Sequence, residues 1–186
     1  MTSFANHLLI AMPAMDDPAF ARTVIYICEH SKEGAMGVVL NAPIEMNLKE
    51  MVDQAAPGSD VTEAKGEQII VKGGPVSPDR GFILHYPQGE WEGSMPINEQ
   101  FTVTTSKDIV ECIGNERGPE KQVIALGYAG WSPGQLEEEL TDNAWLMIPA
   151  THELVFDTPL HDRWNQAIKA IGIESWQLTQ QAGHAK

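Results

Sequence analysis

The sequence predicts an α+β fold, a large mixed β-sheet with short helices packed outside it. Three observations predict it. Runs rich in β-branched residues recur along all 186 residues. Only a few short stretches carry helical periodicity. The order of elements is neither alternating βαβ nor purely β. The length suits one domain spanning 1–186, able to bury a sizeable core without disulfides or metal.

The chain begins MTSFANHLLIAMPAMDD, whose LLIA reads as the first strand. It lacks the basic start of a signal peptide, since the first Lys or Arg is Arg22. With no stretch of about 18 apolar residues, a cytoplasmic protein that does not enter a membrane is expected. RTVIYICEH (22–30) and AMGVVLN (35–41) flank SKEG and form a hairpin. NLKEMVDQA (47–55) follows as a helix. Leu48, Met51, Val52 and Ala55 share one face, and Asn47 caps with Glu50 three residues on. PGSD breaks it.

EQIIVK (67–72) and GFILHY (81–86) are the next strands, joined by GGPVSPDR. Gly73 and Gly74 there suit a close backbone approach or a positive φ. A polar loop from Pro87 to Asn98 leads to the strand EQFTVTT (99–105). SKDIVECIG (106–114) reads as a short helix with Ile109, Cys112 and Ile113 on one face, ended by Arg117-Gly118-Pro119. KQVIALGYA (121–129), the most apolar strand, is expected to be central. After one more helix come the strands AWLMI (144–148) and HELVF (152–156), with a turn at Pro149. In the last helix Thr158 caps, Pro159 takes the first position, and Leu160, Trp164, Ala167, Ile168 and Ile171 form the apolar stripe up to Gly172. The tail from about 178 is expected to fray.

Charge narrows the partners. With 12 basic against 26 acidic residues the net charge is −14, and no basic run appears. Such a field repels nucleic acid and anionic membranes, so direct binding to either is not expected. It suits a basic protein partner. Cys28 and Cys112 show no metal or redox spacing and read as small buried apolar residues.

GWSPG (130–134) matches the G-x-S-x-G elbow that presents a nucleophilic serine. That elbow needs an N–H from the residue after the serine, and Pro133 has none. Losing one such donor costs roughly 3–4 kcal/mol of transition-state stabilisation. Ser132 instead reads as the cap of a helix with Pro133 first and Gln135 third. Gly127 and Gly130 serve a tight strand-to-helix turn, and Trp131 and Trp145 anchor the helix by packing. No catalytic residue, cofactor or metal is assigned.

VIYICEHSKEGAMGVVLN (24–41), GGPVSPDRGFILH (73–85) and GYAGWSPGQLEEEL (127–140), followed by NAWL (143–146), closely resemble the AlgH/YqgE family of bacterial cytoplasmic proteins. The likeness runs from about Phe4 to about Gly172. It implies a single α+β unit with a barrel-like sheet flanked by helices. It also implies a regulator, in line with the family's transcriptional-regulator label. The family pattern G-Y-A-G-W-x-x-G-Q-L-E leaves positions 132 and 133 free, which again argues against a nucleophile at Ser132.

Polar residues at strand ends are the remaining candidates. Glu29, His30, Arg80 and His85, with Gln135, are expected to line one cleft around a small polar ligand. The competing reading is a buried structural network, with Arg80 on a carboxylate and each His on a carbonyl. The sequence therefore points to a non-enzymatic module acting through a protein partner or small ligand. The alternative is a small-molecule enzyme using that cleft. The oligomeric state is not legible.

Overall fold

The structure, a computed structural model, describes residues 3–172. Strands β1 (His7–Ala11), β2 (Val24–Ser31) and β3 (Gly34–Val39) form an antiparallel meander, as the β-branched runs predict. β4 (Pro43–Asn47) leads into helix α1 (Leu48–Ala55). Its capping box is complete: Asn47 accepts from the Glu50 N–H at 2.9 Å, and Glu50 accepts from the Asn47 N–H at 3.3 Å. A one-turn helix, α2 (Glu63–Gly66), precedes β5 (Ile69–Lys72). Then come β6 (Val76–Tyr86), the short β7 (Ser94–Pro96), β8 (Thr102–Thr104) and β9 (Lys121–Trp131). Helix α3 (Gln135–Thr141), β10 (Trp145–Pro149) and helix α4 (Arg163–Ala170) complete the described chain.

The strands form one sheet in the order β10-β1-β2-β3-β9-β6-β8-β7, with β4 and β5 added beside β9. It is mixed because β5 runs parallel to β9 while the other pairings are antiparallel. The sheet curls into a half-barrel with short helices against it. β9 is central, as its apolar run predicts: it pairs with β6 on one side and with β3 and β5 on the other.

Both faces are covered, so strands alternate between two cores rather than between core and water. Leu8, Tyr26, Val38, Leu84 and Val123 point to one face, where Trp164 and Ile168 of α4 pack. The opposite face is divided. Over β1–β3, Leu9, Ile25 and Ile27 meet Trp131, Leu136 and Trp145. Over β6 and β9, Ile83 and Ile124 meet Leu48, Met51 and Val52 of α1 and the pair Ile109 and Ile113.

The glycines before β6 act as expected. A Cβ at Gly73 would sit 2.2 Å from the Gly127 carbonyl oxygen, and one at Gly127 would sit 2.5 Å from that of Gly74. Two backbones cross there with no room for a side chain. The expected tight strand-to-helix turn at Gly127 and Gly130 is not there: both lie inside β9, and at Gly130 the nearest atom to an added Cβ is 3.7 Å away.

Four further local expectations are corrected. Residues 106–114 are not an α-helix but a 3₁₀ turn at Lys107–Ile109 continued by turns. Ile109 and Ile113 are still buried, so the apolar face was right and the helix wrong. HELVF is not a strand but a π-helical turn, Glu153–Asp157. Thr151 accepts the Leu154 N–H and Thr158 donates to the Glu153 carbonyl, so side chains close the turn locally. Thr158 is thereby drawn away from capping, and a 3₁₀ turn, Leu160–Asp162, leads into α4. Ser132 is not the cap of α3. Gln135 N–H bonds to the Ser132 carbonyl at 3.0 Å, with Gly134 at φ 79°. This is a Pro-Gly type II turn, and Gly134 is the residue before the helix. Half of the expected box survives, because the Ser132 N–H donates to Gln135 Oε1 at 3.0 Å. The tail from about 178 lies outside the described residues. Among the described residues no helix is long and apolar enough to cross a membrane.

Candidate functional site

The four strand-end residues and Gln135 do not share one cleft. Glu29 is exposed beside the β-bulge of β2. The His30 ring is fully enclosed. Its Nδ1 accepts the Phe4 N–H at 2.9 Å, Phe4 stacks on it at 4.4 Å, and Nε2 lies 3.4 Å from Glu137 Oε1. With Nδ1 accepting, Nε2 carries the hydrogen. His30 thus ties the chain start to the β2–β3 hairpin, while its Nε2, near Glu137 of α3, has no hydrogen-bond partner among the described residues.

Gln135 belongs to a second cluster. Glu139 Oε1 accepts from Trp131 Nε1 at 3.0 Å and from Trp145 Nε1 at 2.9 Å, and Glu139 Oε2 accepts from Gln135 Nε2 at 2.8 Å. The two indoles meet edge to face, with ring centroids 6.5 Å apart. The carboxylate clamps β9, α3 and β10 together. Trp131 and Gln135 of the W-x-x-G-Q-L-E signature (131–137) thus meet on Glu139, which lies two residues beyond the signature's Glu137 and which sequence reasoning passed over. Its signal was the i, i+4 spacing from Gln135.

His85 is buried between β6 and β8. Its Nδ1 lies 3.0 Å from the Pro87 carbonyl and its Nε2 2.7 Å from Thr104 Oγ1, which lies 2.7 Å from Ser94 Oγ. Nδ1–H donates to the carbonyl and Nε2 accepts the Thr104 hydroxyl, which fits a neutral ring. Burial holds its pKa below the ordinary histidine value, against a smaller opposing effect of the Pro87 bond. A hydroxyl on a histidine oriented by a carbonyl has the connectivity of a nucleophile and its base. Here Thr104 is fully buried, although it stands among the residues that line the cleft at Arg80. Cys28 is inert, its thiol pushed up to about 12 by burial and then by Glu29.

Arg80 lies at a cleft that His85 does not reach. Its guanidinium sits over the Phe82 ring, 5.4 Å from the centroid, and is on no carboxylate among the described residues. The cleft, of about 860 Å³, opens between α1, the start of β6 and residues 104–110. Met46, Met51, Ile83, Val110 and Leu126 give it apolar walls, and Ser77, Asp79, Arg80, Ser106 and Lys107 a polar border. Asp108 beside it is held below the usual carboxylate range, first by the Ser106 hydroxyl and then by the Glu92 N–H.

A second cavity, of about 720 Å³, lies between β5, the start of β9 and the segment entering α4. Arg163 stands in its wall and is only 7% exposed. Its Nη1 donates to the Leu40 carbonyl, and no carboxylate lies within 4.0 Å among the described residues. Burial alone lowers its pKa to about 10. Sequence reasoning missed it too. The signal was a cation three residues after Leu160 and four before Ala167, on the helix's apolar stripe.

Comparison with known proteins bears on this arrangement. A family described as AlgH-like (DUF179) matches residues 8–176. A UPF0301 protein of Shewanella sp. strain ANA-3 is 53% identical over 188 residues, covering 100% of both chains. One from Vibrio cholerae is 50% identical, covering 98% of this chain and 100% of its own. The solution structure of AlgH from Pseudomonas aeruginosa is 44% identical, with a TM-score of 0.79, covering 99% of this chain and 97% of that one. A crystal structure from Corynebacterium diphtheriae, 21% identical with a TM-score of 0.71 over 91% of this chain and 88% of that one, shares the fold.

Proposed function

The chain belongs to the AlgH-like family, and from that premise we propose that it is a non-enzymatic binding module that takes a small amphiphilic anion in the cleft between α1 and β6. One observation carries the reading. A cleft of about 860 Å³ with apolar walls has Arg80 and Lys107 at its border, in a chain of net charge −14. Neither cation has a carboxylate within 4.0 Å among the described residues. The apolar body of a ligand would lie on Met51, Val110 and Leu126, with its head group toward the cations. Support for binding over catalysis comes from Pro133, which denies Ser132 an adjacent N–H.

The test uses the fluorescent sulfonate 8-anilinonaphthalene-1-sulfonate, competed by octanoate. Saturable fluorescence that octanoate displaces is expected. Val110→Trp, which fills the cleft, should abolish it. Lys107→Glu should weaken it about three- to tenfold, the scale of one desolvated charge contact. Absence of saturation in the wild type, or no change in both variants, overturns the reading.

A further inference from the structure

The second cavity shares no lining residue with the α1–β6 cleft. Two of its wall residues hold buried polar atoms with no partner among the described residues, Arg163 Nε and Gln122 Oε1. The Gln122 amide is not free to turn over. Its Nε2 donates to the Ile113 carbonyl at 2.9 Å and to Gln68 Oε1 at 3.2 Å, which fixes Oε1 as the unfilled acceptor. The lining therefore includes an unmatched cation, with its Nε–H free, and an unmatched acceptor.

Buried donors, acceptors and charges are almost always partnered in folded proteins. The other charges in the wall do not supply the partner. Lys121 and Asp157 pair with each other at 3.0 Å, and Lys65 donates to the Asn115 carbonyl at 2.7 Å. That leaves Arg163 and Lys65 against Glu120, a local excess of positive charge in an acidic protein. A guanidinium binds an oxyanion through two parallel N–H bonds.

We propose that this cavity is a binding site for a small oxyanion that also carries an O–H or N–H donor, with Arg163 holding the oxyanion and Gln122 Oε1 accepting from the donor. Hydrogen phosphate has both features and acetate only the first. A phosphate monoester or a carboxylate with a neighbouring hydroxyl or amine presents the same chemistry.

The experiment follows the Arg163 Nε–H and Gln122 side-chain amide signals of the full chain by ¹H–¹⁵N NMR. Sodium phosphate or sodium acetate replaces chloride at fixed ionic strength. Both signals should move saturably with phosphate, and phosphate should bind about fivefold tighter than acetate, the worth of one added hydrogen bond. Arg163→Met should abolish the Gln122 response. Glu120→Gln, an exposed change, should tighten phosphate binding about two- to threefold. Lys107→Glu should leave it unchanged, which separates this site from the α1–β6 cleft. No saturable response in the wild type, or an undiminished Gln122 response in Arg163→Met, overturns the proposal. Acetate binding as tightly as phosphate overturns the role given to Gln122.

Discussion

Glu139 and Arg163 are both charged groups turned toward the body of the fold, and their surroundings differ completely. Glu139 accepts three N–H bonds, two of them from indoles that are 7% and 4% exposed. Among the described residues Arg163 has one carbonyl, no carboxylate and an Nε with no acceptor. A filled carboxylate joins three elements and leaves no room for anything else. An unfilled guanidinium beside a cavity stabilises little by itself and is matched only by something that enters. The lowering of its pKa from 12.5 to about 10 amounts to about 3 kcal/mol set against the charged form. The difference separates a scaffold contact from a binding contact within one small fold.

The sharpest way to break that comparison is to remove each charge. Glu139→Ala leaves two buried indole N–H groups and one amide without an acceptor. At about 1–3 kcal/mol for each buried orphan, a loss of about 3 kcal/mol is expected, or roughly 6–12 °C in Tm. Glu139→Gln keeps one good acceptor and should lose about half as much. Arg163→Met should act in the opposite direction. An apolar side chain of similar length removes an unmatched charge, and a gain of about 1–2 kcal/mol is expected after loss of the Leu40 bond. Thermal unfolding of both variants decides it, and a shared sign would break the contrast.

His85 gives a smaller and differently controlled effect. It is buried but fully partnered as the neutral ring, so its folded pKa lies below its unfolded value. Its contribution is therefore complete above about pH 6.5 and is lost as pH falls below that toward the folded pKa. Urea unfolding between about pH 8 and pH 5 should show stability falling on the acid side by at most about 1.4 kcal/mol per unit from this group. His85→Gln should be less stable throughout and should flatten that limb. An unchanged slope would contradict the neutral assignment.

What the sequence made legible follows from how local each signal is. The hairpin of β2 and β3, the capping box at Asn47 and the central β9 depend on neighbours within a few residues, and all stand. The Gly73-Gly74 stretch was also legible as a close approach, although its partner Gly127 is far along the chain. HELVF misled because Leu154 and Val155 are both buried in succession, a pattern that a fully covered strand and a tight helical turn share. SPGQ misled because the same residues suit a capping box and a type II turn, and Gly134 with positive φ selects the turn. The single cleft failed for a different reason. His30 and His85 sit on β2 and β6, with β3 and β9 between them, and strand order is not written in strand-end chemistry. Glu139 and Arg163 left visible marks, an i, i+4 amide–carboxylate pair and a cation on an apolar stripe. Their meaning depended on what the sheet brought opposite them.

The most direct measurement of the account is the unfolding temperature of the wild type and of Arg163→Met in sodium phosphate against sodium chloride at equal ionic strength. A ligand that binds only the folded state raises stability by about 2.7 kcal/mol at a hundredfold excess over its Kd. Phosphate should raise the wild-type midpoint by several degrees and leave Arg163→Met, the more stable protein in chloride, unmoved. Equal rises in the two proteins, or no rise in either, would contradict it.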